Sequence, residues 1–334
     1  MYGGAVVALV VVLGQDLPVR RYLVVVAGSD DELLAPSLGP FGRSSTLPAE
    51  AYTGGFVFRW EQEHFFDRSW VCVGRAGGLE YVGDQRVAEW QGWLFANASG
   101  DASSFEEHAG NLEDLIRNYG CEDLVVAARH DYQVAANWKI LVENYHECYH
   151  CSSIHPEFCE VSPPTSGGDN LEPEGAWIGG PMNLYEGVET MSLDGKSHAP
   201  NLPRLTEGQD RRVYYFQLFP NLMISLHPDC VMTHRLTPIA PGHSAVESEW
   251  LFSREVVDQE SFEPSYASDF WDITNRQDWH ACEAVQRGVS SRGYRRGPLS
   301  PREDAVYQLI TMVANGYLEG KVSRPASRIT KTAG

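Results

Sequence analysis

Asn137-Trp138-Lys139-Ile140-Leu141-Val142-Glu143-Asn144-Tyr145-His146-Glu147-Cys148-Tyr149-His150-Cys151-Ser152-Ser153-Ile154-His155-Pro156 packs three His, two Glu and two Cys into twenty residues. Its apolar spacing predicts a helix over Asn137–His150 that stops before Pro156. On that helix Glu143, Glu147 and His150 share one strongly ionisable face. A buried carboxylate must be paired, protonated or bound to a cation. His150 and His155 lie about 140° apart on an unbroken helix, so they converge only if the helix ends near His150 and the chain folds back. Pro156 favours that ending, because the residue before a proline avoids the helical region.

Three metal chemistries compete with a plain polar helix for this stretch. Zinc is one, on Cys148, Cys151 and either His155 or Cys159, but it lacks the distant second pair usual in structural zinc sites. A Rieske cluster is another, since Cys148-x-His150 has the C-x-H form, but two His and two Cys on separate loops are required. The third is a mononuclear iron held by His150, His155 and a remote carboxylate, an arrangement that leaves positions open for O₂. Asp278 is a carboxylate of the right kind. With Trp271, Asn275, Cys282 and Val285 it falls on one mainly apolar helix face, so it points inward and needs a cation. The competing partner for it is an arginine, Arg276 or Arg287.

Working outward, Ala51–Trp70 reads as a helix, Trp70–Val73 as a strand, Phe105–Tyr119 as a helix and Leu124–Val134 as a strand. Residues 162–210 read mostly as loop. Four β-type runs follow, Arg212–Phe219, Leu222–Leu226, Cys230–Thr237 and Ala245–Phe252, joined by Pro/Asn/Asp/Gly turns that imply an antiparallel meander. Two helices, about Ser265–Arg287 and Pro301–Leu318, close the chain. Helices, sheet, helices is an α+β order. The 334 residues suggest about two domains. With 26 basic against 45 acidic residues the net charge is −19, which disfavours nucleic acid as a partner. The longest apolar run, Ala5–Leu13, is too short to span a membrane and has no basic residue before it. Seven cysteines, an odd number, fit reduced thiols in a cytoplasmic protein better than a disulfide framework.

The segment from Asn137-Trp138-Lys139 through Glu143-Asn144-Tyr145 and Glu147-Cys148-Tyr149-His150-Cys151 to His155-Pro156 closely resembles the catalytic segment of Rieske-type ring-hydroxylating oxygenase α subunits. It is most similar to the branch that demethylates glycine betaine, carnitine or stachydrine. Trp271-Asp272-Ile273-Thr274-Asn275-Arg276-Gln277-Asp278-Trp279, with Glu283 and Gln286, resembles the same family's C-terminal helix. The likeness runs from about Leu47 to the end. It implies a helix-grip catalytic domain, an antiparallel sheet curled over helices. It implies Fe(II) on His150, His155 and Asp278, with Glu147 as the carboxylate that receives electrons from a neighbouring subunit's cluster and Asn137 close to the iron. The implied partners are O₂, a ferredoxin or flavin reductase, a quaternary ammonium substrate (an aromatic acid is second) and further copies of the chain in a trimer.

The chain departs from the family in one respect. Between Trp70 and Asp131 the cysteines are Cys72 and Cys121 and the histidines are His108 and His130, and none is spaced as a [2Fe–2S] loop requires. The expected layout is therefore a poorly ordered extension over 1–46, a remnant of the Rieske domain over 47–88 with an excision near Val87–Ala88, and the mononuclear iron domain over 89–334. Loss of the cluster domain is expected to expose apolar surface near Trp90 and Trp93 and to weaken the trimer. Two function classes follow. One is an Fe(II)- and O₂-dependent oxygenase with impaired electron entry. The other is a non-catalytic, cluster-less relative that binds metal or ligand, or associates with intact α subunits. A zinc protein using Cys148, Cys151 and Cys159 is the third.

Overall fold

The computed structural model describes residues 33–78, 86–167 and 170–327. Its centre is a six-stranded antiparallel sheet of order β4-β9-β8-β7-β6-β5. The strands are β4 (Leu124–Val134), β5 (Trp177–Asn183), β6 (Arg212–Leu218), β7 (Leu222–Leu226), β8 (Val231–Ala240) and β9 (His243–Ser253). The expected meander is thus the middle of the sheet, extended by β4 along β9 and by β5 along β6. β5 lies in the stretch read as loop. Its Gly179-Gly180-Pro181 core hides it, because proline is tolerated only where a strand has a free edge. Gly179 sits at φ +130°, where an added Cβ would lie 2.0 Å from the Tyr215 carbonyl oxygen, so the close approach to β6 admits glycine alone.

Strand β7 is buried along its whole length. Leu222, Ile224 and Leu226 face one apolar core, shared with Trp90, Trp93, Phe95 and Phe105. Met223 belongs to the opposite face, as period-2 alternation requires. The first core joins the sheet to a small three-stranded sheet of β1 (Val71–Arg75), β2 (Arg86–Trp90) and β3 (Trp93–Asn97), in the order β1-β3-β2. Trp93 is 1% exposed and Trp90 9%. The seam expected to lie bare is therefore covered. The helical turns Phe105–Ala109 and Leu112–Ile116 supply the cover, and Trp90 donates its indole N–H to Glu113 at 2.5 Å.

The opposite face of the sheet receives the helices. The region read as one helix over Ala51–Trp70 is α1 (Ala49–Thr53), α2 (Gly55–Glu61) and a π-helical turn, Gln62–Asp67. Gly54-Gly55 makes the break: at Gly54 an added Cβ would stand 2.6 Å from the Glu50 carbonyl oxygen. The central helix α3 (Trp138–Tyr145) ends five residues earlier than expected, and α4 (Cys151–Ile154) and α5 (Pro156–Val161) follow it. The long α6 (Ser265–Val289) packs on β4 and α3, and α7 (Asp304–Glu319) is almost wholly buried. On α6 the buried stripe contains Trp271, Asn275 and Cys282 as expected, but Val285 is exposed.

Residues 33–46 are tied down rather than loose. Leu34, Ser37 and Ser44 are buried, Ser45 forms a β-bridge with Pro298, and Arg296 donates to the Leu33 carbonyl. The rest of the expected extension, 1–32, and Gly83-Asp84-Gln85 beside the expected excision lie outside the described residues. Among the described residues no helix is long and apolar enough to cross a membrane.

Candidate metal centre

Helix α3 stops because its continuation is given better local partners. The Glu147 carboxylate accepts the backbone N–H of Tyr149 at 2.5 Å and of His150 at 3.2 Å, which withdraws those donors from helical bonding. Tyr145 is also pulled onto the sheet, its hydroxyl 2.7 Å from Ser225 Oγ. The chain then makes the single turn α4 with His150 as its N-cap, breaks at His155 (φ −120°, ψ 70°), and restarts with Pro156 in the first turn of α5. His150 and His155 thus flank one helical turn, their rings 5.1 Å apart between centroids.

Both rings face α6. His155 Nε2 is 2.9 Å and His150 Nε2 3.3 Å from the same atom, Asp278 Oδ1. The far nitrogen of each ring is also held: His150 Nδ1 donates to Glu147 Oε1 at 2.5 Å and His155 Nδ1 to Gln277 Oε1 at 2.7 Å. These bonds put hydrogen on Nδ1 of each ring, so Nε2, which faces Asp278, is the nitrogen that becomes a ligand once its proton is displaced. Asn144 Nδ2 completes the cluster, 2.9 Å from Asp278 Oδ1 and 3.1 Å from His150 Nε2. Arg276, one of the two arginines considered as alternative partners for Asp278, pairs instead with Asp272 at 2.7 Å.

Two imidazole nitrogens and one carboxylate oxygen suit a first-row divalent metal such as iron(II). Ligand atoms on adjacent corners of an octahedron with bonds of about 2.1 Å are about 3.0 Å apart, and the observed separations of 2.9 and 3.3 Å fit that edge. In this structure protons hold the cluster together. Burial alone would lower the basicity of His150, but hydrogen bonds to Asp278 and Glu147 carry it up to about 9. Burial would raise the Asp278 carboxyl, and the two histidines hold it below the usual carboxylate range. A cation entering here displaces those protons.

Comparison with known proteins gives the family. Residues 121–319 match the model of the ring hydroxylating alpha subunit (catalytic domain). The chain belongs to that family. It is 25% identical over 236 residues to the glycine betaine monooxygenase oxygenase subunit of Chromohalobacter salexigens, covering 63% of this chain and 53% of the relative. It is 28% identical over 214 residues to the carnitine monooxygenase oxygenase subunit of Escherichia coli (strain K12), again covering 63% and 53%. The chain spans about half the length of these curated relatives. Its fold superposes on a solved quaternary ammonium Rieske monooxygenase with a TM-score of 0.65 at 19% identity, covering 86% of this chain and 98% of the other. The antiparallel sheet with its helices is thus the architecture of this family's catalytic domain.

Within that domain the structure brings His150, His155, Asp278 and Glu147 together, but not Asn137. Asn137 caps α3: its Oδ1 accepts the Lys139 N–H at 3.0 Å, and its Nδ2 donates to the carbonyls of Tyr52 and Pro241. Seven residues of helix, about 10 Å, separate it from Asn144, the asparagine that does touch the cluster. The cysteines differ from expectation too. Cys148 and Cys151 form a disulfide, and Cys159 Sγ points at the Cys151 carbonyl, 3.5 Å away, so the three do not make a zinc thiolate set here. The residues with a cysteine or histidine nearest the expected cluster region are closed in: burial pushes the Cys72 and Cys121 thiols up to about 12, and His108, lowered by burial to about 4, bonds the Phe219 carbonyl.

Sequence reasoning also missed Gln277 and Asn144, neutral amides that carry no metal-ligand signal of their own. It left the pocket aromatics unassigned. The cluster opens into a cavity of about 380 Å³ whose wall includes Tyr145, Tyr215 and Trp271, drawn from α3, β6 and α6. Tyr215 stands edge-on to both others, at 5.7 and 6.2 Å between centroids. Its hydroxyl is buried without a hydrogen-bond partner.

Proposed function

We propose that this domain binds a quaternary ammonium compound beside a mononuclear iron(II) held by His150, His155 and Asp278, and oxidises one of its N-methyl groups. The observation that carries the reading is the wall of three aromatic side chains next to a His/His/Asp cluster in one cavity. A trimethylammonium group is attracted to aromatic faces by about 0.5–2 kcal/mol each and offers nothing to hydrogen-bond donors, so an aromatic cage suits it. The relatives named for glycine betaine and carnitine support the same substrate class.

Iron(II), when bound, supplies reductive activation of O₂. The chain's own residues do the rest. Glu147 and Gln277 fix the two imidazoles so that both Nε2 lone pairs face one point. Tyr145, Tyr215 and Trp271 place the cationic nitrogen so that a methyl hydrogen faces that point. Overall, N–CH₃, O₂, two electrons and two protons give N–CH₂OH and water, and the hemiaminal then releases formaldehyde, a proton and the tertiary amine. The two electrons come from a Rieske cluster, fed by a ferredoxin or flavin reductase; between Trp70 and Asp131 no cysteine or histidine is spaced for a cluster loop, which favours a carrier supplied in trans. Without that carrier the chain binds substrate and does not turn it over.

Calorimetric titration of the iron-loaded protein tests the binding step. Glycine betaine or carnitine binds at millimolar concentration or better, a neutral tert-butyl isostere binds more weakly, and Trp271→Ala removes the preference. Equal affinity for the neutral isostere defeats the reading. Formaldehyde appears when a Rieske protein and reductase are added in trans; release by the isolated chain with reductase alone refutes the requirement for an external carrier.

A further inference from the structure

The two histidines of the metal centre have a second available partner. The Cys151 sulfur lies 4.0 Å from His150 Nε2, and the ligand atoms of His150, His155 and Cys151 all fall within 4.8 Å of one another. A tetrahedral ion with bonds of about 2.3 Å to sulfur and 2.0 Å to nitrogen sets those atoms about 3.5 Å apart, so the sulfur is already close to a ligand position. Cys151 is 5% exposed and stands at the first position of α4, directly after His150, with its side chain on the cavity wall. In this structure the sulfur is spent on the bond to Cys148.

We propose that the Cys148–Cys151 disulfide decides which third ligand completes the metal centre. With the bond intact, the donors are His150, His155 and Asp278, a hard carboxylate set that suits iron(II). With it reduced, Cys151 becomes a thiolate ligand beside the same two histidines, and the site takes a borderline-soft cation such as Zn²⁺ or Co²⁺. The inference rests on the reading that His150 and His155 bind metal. Reduction by a small dithiol breaks the S–S bond: two electrons and two protons pass to the two sulfurs, and the reductant is left as its own disulfide. On ligation the Cys151 proton leaves to bulk water. The reverse step needs a two-electron oxidant, for which hydrogen peroxide suffices, giving the disulfide and two waters. Cys148 does not ligate in this account. Its part is to hold or release the Cys151 sulfur.

Cobalt(II) chloride added without air to the oxidised and the dithiol-reduced protein is the test, read by absorption rather than turnover. Oxidised protein gives weak visible cobalt bands and no sulfur-to-cobalt charge transfer. Reduced protein gains a strong near-ultraviolet charge-transfer band and binds cobalt more tightly, since a thiolate suits a borderline-soft cation better than the carboxylate it replaces. Cys148→Ser shows the band without any reductant. Cys151→Ser and His155→Ala abolish it. A reduced wild-type protein that binds cobalt without the band overturns the inference and leaves the histidine–carboxylate centre standing. A band that persists in His155→Ala overturns it as well, because the thiolates then bind alone. Absence of cobalt binding in both redox states defeats this inference and the metal reading together.

Discussion

Helix α3 has a cluster of ionisable groups at each end, and the two are built to opposite rules. At its start, Lys139 Nζ lies 2.7 Å from Glu61 Oε1, Trp138 donates to Glu61 Oε2 at 3.0 Å, and Tyr317 donates to the same carboxylate. Lys139 and Glu61 are both 0% exposed. One cation meets one anion, and nothing is left over to bind a ligand. Past its other end, two imidazoles converge on the Asp278 carboxylate, and Glu147 backs one of them. Those side chains are 2–21% exposed and line a cavity. With its histidines neutral this end is anionic and its donors point at one place. Buried charge that is internally closed is scaffold; buried charge that is convergent and reachable is the arrangement a cation receptor needs.

The largest effect expected from this contrast is loss of the metal. His155→Ala or Asp278→Ala abolishes stoichiometric iron, measured after anaerobic loading, while the fold persists by circular dichroism. Full iron content in either variant breaks the distinction between the two ends. Next is the closed end. Lys139→Met leaves Glu61 buried without its counter-charge and costs about 3–5 kcal/mol in denaturant unfolding. The folded fraction still loads iron. If Lys139→Met loses iron at unchanged stability, the two ends are one functional unit. Smaller again are the groups that orient the histidines. Glu147→Ala and Gln277→Ala each weaken iron binding by roughly 10–100-fold without abolishing it. Glu147→Gln, which keeps an acceptor for His150 Nδ1, recovers part of the loss. A complete loss of metal in either alanine variant makes that residue a ligand instead.

Much of this arrangement was legible in the sequence, and the failures share a cause. The limits of β4 and the order of β6 to β9 follow from alternation and from turn residues at fixed positions. The approach of His155 to His150 follows from Pro156. The end of α3 does not follow, because what ends it is a carboxylate bonding locally and a hydroxyl reaching Ser225, eighty residues away. Asn137 was read as chemistry because it sits in a motif beside chemistry, yet a helix N-cap demands asparagine just as strongly. Gln277 carries no signal in the sequence, because an amide is silent until its oxygen is seen against an imidazole. The aromatic wall takes one residue from each of three elements, and periodicity within one element cannot report a surface shared by three.

Glu143 lies between the two ends and gives the subtlest way to sharpen the comparison. It is four residues after Lys139 and one before Asn144, and it accepts the Tyr52 hydroxyl at 2.7 Å. Burial raises its carboxyl to about 7, although the Tyr52 hydrogen bond and the Lys139 charge both pull it down. An acid whose folded value exceeds its unfolded value, about 4.3, binds more protons when folded. Its contribution to stability is therefore largest below the unfolded value and declines as pH rises from about 4.5 to 7. The full shift corresponds to at most about 3.5 kcal/mol, and partial solvent access makes it smaller. Unfolding measured in denaturant across that interval should show wild type losing stability relative to Glu143→Gln, whose amide does not titrate. Because the metal donors lie beyond Asn144, iron stoichiometry at neutral pH should be the same in both proteins. Parallel stability curves for the two would mean that Glu143 is already ionised when folded, held so by Lys139, and that the closed end of α3 extends one turn further than its ion pair.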